Sequence, residues 1–351
     1  MSAPSVRDTT SDDDLQIRPL QLQDFIGQSE LTAKLAVSLA AAQKRGEALD
    51  HVLLSGPPGL GKTTLAAIIA NEMGSKLHTA SAPAITRPRD LARLLTLLEK
   101  RDVLFIDEIH RLGAACEEIL YPALEDGFIE VIVGEGVTAQ SIRLNLQEFT
   151  LVGATTRSGM LSAPLKDRFG LELKLDFYGT SELARIIERT ARLYELQIHP
   201  DAVQMLAERS RMTPRIANRL VRRVRDYATV EHITSIEAPW LDDCLQQLGV
   251  DTMGLNQLDR KILRLLIERY QGRPAGVSTL AALVDEEERT LIEDHEPFML
   301  RLGLIEKSPR GRVATTRACR HLNIPVPAEI RQRETDSSVQ QYESNLFTDR
   351  D

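Results

Sequence analysis

Apolar and polar positions change period repeatedly along the first half of the chain. Leu31, Leu35, Leu39 and Ala42 recur at helical spacing and predict one helix face. His51-Val52-Leu53-Leu54-Ser55 is a short apolar run, and Leu65 to Ala70 reads as helix again. Beyond it, Lys76–Ala80 is short and extended and Leu91–Leu98 is helical. Asp102–Ile106 is a buried strand, Glu117–Leu124 a helix, and Thr150–Ala154 another buried strand. Strands alternating with helices imply an α/β domain with a parallel sheet. One segment interrupts this order. Phe128–Val133 and Ser141–Leu146 alternate with period two around Gly134-Glu135-Gly136. That pattern predicts a β-hairpin leaving the core, and reads equally as an ordinary surface excursion.

From Ser181 to Leu248 the pattern is helical throughout. Leu183, Ile186, Ile187 and Ala191 form one stripe; Ile216, Leu220, Val224 and Tyr227 form another. A second domain therefore starts near Gly179-Thr180. A glycine-containing link at 249–255 leads to a helix carrying Leu258, Ile262, Leu265, Leu266 and Ile267. A further helix runs from Leu291 to Leu302, stopped by Gly303. Two short strands, 304–307 and 312–315, flank Ser308-Pro309-Arg310-Gly311, completing the layout of a winged helix-turn-helix. The expected organisation is a disordered arm over 1–16, an α/β domain over 17–180 with its 128–146 hairpin, a helical domain over 181–253, a winged helix over 254–324 and a disordered tail over 325–351.

Composition narrows the class. At 351 residues, two or three domains are expected. No stretch nears the roughly 18 apolar residues of a membrane span, and Met1–Asp14 is too polar and acidic for a secretion signal. Cys116, Cys244 and Cys319 are far apart and odd in number, which points to buried thiols in a reducing cytoplasm. A net charge of −8 argues against a surface that coats nucleic acid as a whole. Charge is segregated near the C-terminus, however. Over 299–322, Arg301, Lys307, Arg310, Arg312, Arg317 and Arg320 stand against Glu306 alone, whereas 280–298 carries seven acidic residues against Arg289. A basic hairpin at the tip of a winged helix suits contacts to DNA phosphates, which give affinity without reading sequence. It reads otherwise as a solvated basic turn.

The chemistry centres on Gly56-Pro57-Pro58-Gly59-Leu60-Gly61-Lys62-Thr63-Thr64, set between an apolar run and a helix. That order is the context a phosphate loop requires. Gly56, Gly59 and Gly61 let backbone N–H groups turn toward phosphate oxygens, with Pro58 inside the turn. Lys62 then reaches the β- and γ-phosphates and the Thr63 hydroxyl ligates Mg²⁺. Asp107-Glu108 ends an apolar strand about 45 residues later. Asp107 is placed to hold the metal through water, and Glu108 to polarise the attacking water; the pair reads otherwise as a carboxylate cluster that starts a loop. Thr155 and Thr156, at the tip of a third strand, read as a γ-phosphate sensor or as a strand-end cap. Arg168, on a short turn, reads as an arginine lent to a neighbouring subunit's phosphate or as a surface arginine. Thr213-Pro214 opens a helix that carries Arg215, Arg219 and Arg222 on one face, which reads as a charged solvated face or as a phosphate-facing row with Arg215 folded back onto nucleotide.

These residues resemble the AAA+ ATPases. Asp107-Glu108-Ile109-His110-Arg111-Leu112, Gly153-Ala154-Thr155-Thr156-Arg157, Thr213-Pro214-Arg215-Ile216-Ala217-Asn218-Arg219 and Ser308-Pro309-Arg310-Gly311-Arg312-Val313-Ala314 are, more narrowly, similar to the RuvB family of Holliday junction branch-migration motors, from about Ile17 to Ile324. The resemblance implies a homohexameric ring around double-stranded DNA, driven by ATP with Mg²⁺. It also implies a RuvA-like junction-binding partner docking on the 128–146 hairpin and a RuvC-like resolvase. Carried over by motif, Ile17 and Arg18 lie beside the adenine, and Gly59, Gly61, Lys62, Thr63 and Thr64 form the phosphate loop. Asp107, Glu108, Thr155 and Thr156 take the roles above. Arg168 acts across a subunit boundary, Tyr178 is a nucleotide-side aromatic, and Arg215 is the second-domain sensor. Glu125-Asp126 lies near the subunit interface, followed by Gly127 where the family usually has an aromatic. Lys307 and Arg312, with Arg310 between them, match DNA contacts in the wing. Lys166 and Met212 also depart from the usual arginine and glycine. The ATPase core alone fits two other activities, a clamp loader or replication initiator and a nucleotide-gated DNA-binding regulator.

Overall fold

The computed structural model describes residues 17–133 and 140–333. Strands β1 (Val52–Ser55), β2 (Leu77–Ser81), β3 (Val103–Asp107), β4 (Phe128–Val133), β5 (Gln140–Asn145), β6 (Thr150–Thr155) and β7 (Leu171–Lys174) belong to the first half of the chain. Five of them form one parallel sheet in the order β2-β3-β6-β1-β7. Apolar runs become β1, β3 and β6 because these strands are covered on both faces: nearly every residue in them is buried. β7 escaped the sequence pattern. It has four residues, two of them charged, and only Leu173 is buried, as suits an edge strand. The helix Ser29–Arg45 buries the predicted Leu31, Leu35, Leu39 and Ala42 and ends at Gly46 with φ of 70°.

β4 and β5 pair antiparallel from Phe128↔Asn145 to Val133↔Gln140, so the expected hairpin forms. Its predicted Gly134-Glu135-Gly136 turn lies outside the described residues, as do the 1–16 arm and 334–351. Ile129 is fully buried against the core, whereas Ile142 and Leu144 are exposed.

The chain divides into two compact units, one of residues up to Leu196 with Thr213–Arg219, the other of Gln197–Met212 with Leu220 onward. The helical stretch expected as one domain is thus shared between them. Its first helix, Thr180–Leu193, is tied back to the N-terminal segment, where Arg189 Nη1 donates to the Ile17 carbonyl at 2.5 Å. The second unit holds helices Pro200–Glu208 and Ala238–Gln247 with a two-residue parallel bridge, β8 (Gln197–Ile198) to β9 (Ser235–Ile236). It continues through helices Gln257–Arg264 and Val277–Val284, a segmented helix from Glu288 to Arg301 with a π-turn over Leu291–His295, the hairpin β10 (Ile305–Ser308) and β11 (Gly311–Ala314), and helix Thr316–His321. Leu263, Leu266, Met299, Leu304, Ala314 and Cys319 are the centre of this core. Residues 325–333 are not loose: Ile330 is buried against Gly272 and Arg333 donates to the Gly272 carbonyl. Spaced apolar residues, Val326 and Ile330, carry that packing within a polar composition.

Candidate functional site

Parallel strands deliver their C-terminal ends to one edge of the sheet, where open α/β folds bind ligands. Ser55, Asp107 and Thr155 end β1, β3 and β6 there, with Ser55 paired to Thr155 in register. The phosphate loop leaves β1 at this edge. Gly59 and Gly61 have φ of 79° and 102°, and Gly56 has 143°. A Cβ at Gly56 would stand 2.5 Å from the Leu175 carbonyl oxygen, and one at Gly61 would stand 3.2 Å from the Phe25 ring. Only glycine fits such a turn. The helix Lys62–Glu72 then starts from Gly61 with no side chain capping it, leaving its first N–H groups for an anion. Lys62 is buried and donates to the Gly56 and Pro57 carbonyls at 2.8 Å each, so its ammonium is held over the loop's mouth. Thr63 and Thr64 follow in the first turn.

Asp107 Oδ1 accepts the Glu108 N–H at 2.9 Å, and Glu108 itself sits at φ 52°, a conformation rare for a residue with a Cβ. That backbone turns the Glu108 carboxylate out of the strand, where Oε2 meets Arg111 Nη1 at 2.7 Å. Such strain is concentrated at working sites. The two threonines separate in role. Thr155 is buried and its hydroxyl is engaged, 2.9 Å from His110 Nδ1 and 2.9 Å from the Arg157 N–H. Thr156 Oγ1 is buried with no hydrogen-bond partner among the described residues. An orphaned hydroxyl beside a phosphate loop fits a phosphate oxygen, whereas the Thr155 hydroxyl is already engaged. His110 was missed as an individual residue; its spacing after Asp107 was the available signal.

Around the loop, Tyr178 is buried and its hydroxyl donates to the Leu60 carbonyl at 3.2 Å. Burial, with Glu182 nearby, pushes this phenol well above its usual range, so it stays a neutral donor. Phe25 and Gln28 also went unread. Phe25 packs on Gly61, and Gln28 exchanges two hydrogen bonds with Asp176, Nε2 to its carbonyl at 2.6 Å and Oε1 from its N–H at 3.1 Å. The Arg215 N–H donates to the Gly59 carbonyl at 3.2 Å while its side chain remains exposed. Ile17 is buried and Arg18 after it is half-buried.

Arg168 is held elsewhere. Its partners are Glu125 (2.6 Å), the Pro164 carbonyl (2.6 Å), the Tyr121 carbonyl (3.4 Å) and the Tyr121 ring, none of them in the phosphate loop. Asp126 is exposed, and Gly127 at φ 68° starts the hairpin, a backbone position that explains glycine there.

In the wing, Lys307 and Arg310 are exposed. Arg312 is not. It grips buried Glu296 with two bonds, Nε–Oε1 at 2.5 Å and Nη2–Oε2 at 3.1 Å, and Lys307 Nζ approaches the same carboxylate at 3.2 Å. The expectation that Arg312 contacts phosphate therefore meets a guanidinium already committed inside the module.

A glycine cradle at the head of a helix, a buried lysine over it, a carboxylate-tipped strand one place removed in the same sheet and an attached winged helix define an AAA+ P-loop ATPase. Three family models match the chain from 17 to 323 almost without a gap: the Holliday junction DNA helicase RuvB P-loop domain over 17–175, the RuvB AAA lid domain over 178–251 and the RuvB C-terminal winged helix domain over 252–323. The chain belongs to the RuvB family. It is 55% identical over 308 residues, 88% of this chain and 90% of the other, to the Holliday junction branch migration complex subunit RuvB of Kosmotoga olearia. Among solved structures, the Thermotoga maritima RuvB Holliday junction branch migration motor superposes with a TM-score of 0.81 at 49% identity, covering 89% of this chain and 99% of that one. A point variant of the same protein reaches 0.83, also at 49% identity, over 89% and 100%.

Proposed function

We propose that this chain works as a homohexameric ring that draws double-stranded DNA through Holliday junctions at the expense of ATP, in recombination and repair in the cytoplasm. The observation that carries the reading is the phosphate loop with Lys62 buried over it, in one chain with a winged helix whose Lys307 and Arg310 are exposed. Lys62 holds the β- and γ-phosphates, Glu108 orients the attacking water, and Thr156 takes a γ-phosphate oxygen. Magnesium fits the donors at hand, the Thr63 hydroxyl in the first helical turn and the Asp107 carboxylate; bound there, it neutralises charge on the phosphates. The partners of Arg168 lie off its own phosphate loop, which supports its service to a neighbouring subunit. The β4–β5 hairpin, with Ile142 and Leu144 exposed, suits docking of a RuvA-like junction-binding protein. The resolvase is RuvC-like by the same kinship.

ATP-dependent dissociation of a synthetic four-way junction, with and without a junction-binding protein, tests the motor. Junction arms separate under hydrolysis by the unaltered chain and not by Lys62→Ala. Hydrolysis without arm exchange, or greater activity on primed templates, refutes the proposal.

A further inference from the structure

The second unit contains two buried carboxylates that neither phosphate binding nor DNA contact uses. Asp259, at the start of helix Gln257–Arg264, is wholly buried. Arg211 Nη1 reaches its Oδ2 at 3.0 Å, His295 Nδ1 lies 2.6 Å from its Oδ1, and the Asn256 N–H donates to Oδ2 at 2.9 Å. Arg211 is fixed further by the Asp294 carbonyl at 2.8 Å and by the Phe298 ring, 5.0 Å from its centroid. The second carboxylate is Glu296, the residue after His295, gripped by Arg312 and Lys307 of the wing. Two sets of contacts, Arg211–Asp259–His295 and Glu296 with Arg312 and Lys307 of the hairpin β10–β11, are thus joined through the peptide bond between His295 and Glu296. Buried ion pairs are poor sources of stability relative to apolar packing, but they fix one arrangement.

At its other end the relay meets the ATP site through covalent chain. Arg211 and Met212 have φ of 52° and 56°, an uncommon pair that the surroundings must enforce. Three residues later, the Arg215 N–H is bonded to Gly59 of the phosphate loop. A shift of Arg215 with nucleotide state therefore pulls on a segment anchored at Arg211.

We infer that Asp259 and His295 are positioning residues of the motor: they fix Arg211, and with it the backbone that continues covalently into the Arg215 segment, so that duplex at the wing stimulates hydrolysis at the phosphate loop. This rests on the proposed wing–DNA contact. Both side chains are buried, unlike the exposed Lys307 and Arg310 of the wing.

The test uses the full chain carrying Asp259→Asn, which keeps an acceptor for the Asn256 N–H, or His295→Gln, which leaves the Arg211–Asp259 pair intact. ATP turnover is measured without DNA and with saturating duplex, alongside junctions dissociated per ATP and thermal melting. DNA-free turnover is expected to stay within about twofold, while stimulation by duplex and junctions dissociated per ATP fall at least about fivefold, the low end of ordinary coupling. The proposal is overturned if a folded variant keeps full stimulation, or if every activity falls together with the melting temperature. Should Asp259→Asn fail to fold, His295→Gln decides alone. Arg310→Ala, at a position exposed on the wing and outside these contacts, is the control. If it binds duplex as tightly as the unaltered chain, the wing–DNA reading fails, and this inference with it; if duplex binding is lost while stimulation survives in the folded variants, only the relay falls.

Discussion

Arg168 Nη2 stands 2.6 Å from Glu125 Oε2, in a pair whose glutamate is 62% exposed. An exposed ion pair of this kind is worth about 0–1 kcal/mol, whereas an arginine finger accelerates phosphoryl transfer about 10³- to 10⁵-fold. Exchange of Glu125 for a phosphate on a neighbouring subunit is thus energetically easy. Arg168→Ala is expected to bind ATP normally and to lose turnover by at least about a thousandfold. Mixing it with Lys62→Ala provides the decisive measurement. Activity reappears in the mixture, because intact phosphate loops from one variant then meet intact arginines from the other. A mixture as inactive as its parts places Arg168 in its own subunit's site.

Thr155 and Thr156 are adjacent yet predict different failures. The Thr155 hydroxyl is buried between His110 and the Arg157 N–H, so Thr155→Val orphans partners and costs about 1–3 kcal/mol of stability. Thr156→Val removes a hydroxyl that has no partner among the described residues. Its melting temperature is expected to stay put while turnover falls about 10²- to 10³-fold, the usual effect of losing one charge-stabilising donor. Melting curves and steady-state hydrolysis of the two variants separate the roles.

Glu108→Gln is expected to retain ATP binding and block hydrolysis. Its αL backbone, φ 52°, is carried by glutamine as readily as by glutamate, so the fold is unchanged. Nucleotide titration beside a turnover assay checks both halves, and normal hydrolysis removes Glu108 from its role.

His51 links three elements near the start of β1. Its Nδ1 accepts the Leu151 N–H at 3.0 Å, and its Nε2–H donates to the Leu124 carbonyl at 3.2 Å. Burial lowers its pKa below the ordinary 6.5, with the Leu124 bond and Asp50 opposing. The folded state thus binds fewer protons than the unfolded state below that value. Stability from this group is complete above about pH 6.5 and is lost as pH falls toward the folded value, by up to about 1.4 kcal/mol per pH unit. Asp102 does not confuse the window. Burial would raise its carboxyl, but the Glu99 N–H, His78 and the Lys76 N–H together hold it lower, so its contribution is lost only in stronger acid. Melting between pH 7.5 and 5.5 should show a slope that His51→Gln flattens.

Much of the site was legible because its chemistry is local. The phosphate loop is contiguous, and the carboxylates of β3 follow an apolar run that could only be a buried strand. Partners distant in sequence were not legible. Nothing around Arg312 announces Glu296, sixteen residues away in an acidic stretch, or that His295 and Arg211 converge on Asp259. β7 was lost because an edge strand needs no apolar run. Val326 and Ile330 were lost because two apolar contacts do not alter the composition of a polar tail.

The wing shows how that hidden pairing changes an expectation. A phosphate-contacting arginine, when removed, lowers the salt dependence of DNA binding by about one unit and leaves the fold intact. Lys307→Ala and Arg310→Ala are expected to behave so, in salt titrations of duplex binding. Arg312→Ala instead leaves Glu296, 4% exposed in its side chain, with Lys307 alone. Breaking a buried pair from one side costs about 3–5 kcal/mol. The module should therefore melt well below the unaltered chain. Glu296→Leu added to Arg312→Ala removes the uncompensated charge and should restore a large part of the loss. If Arg312→Ala melts normally and shows only a reduced salt slope, the arginine releases Glu296 at little cost and serves DNA directly.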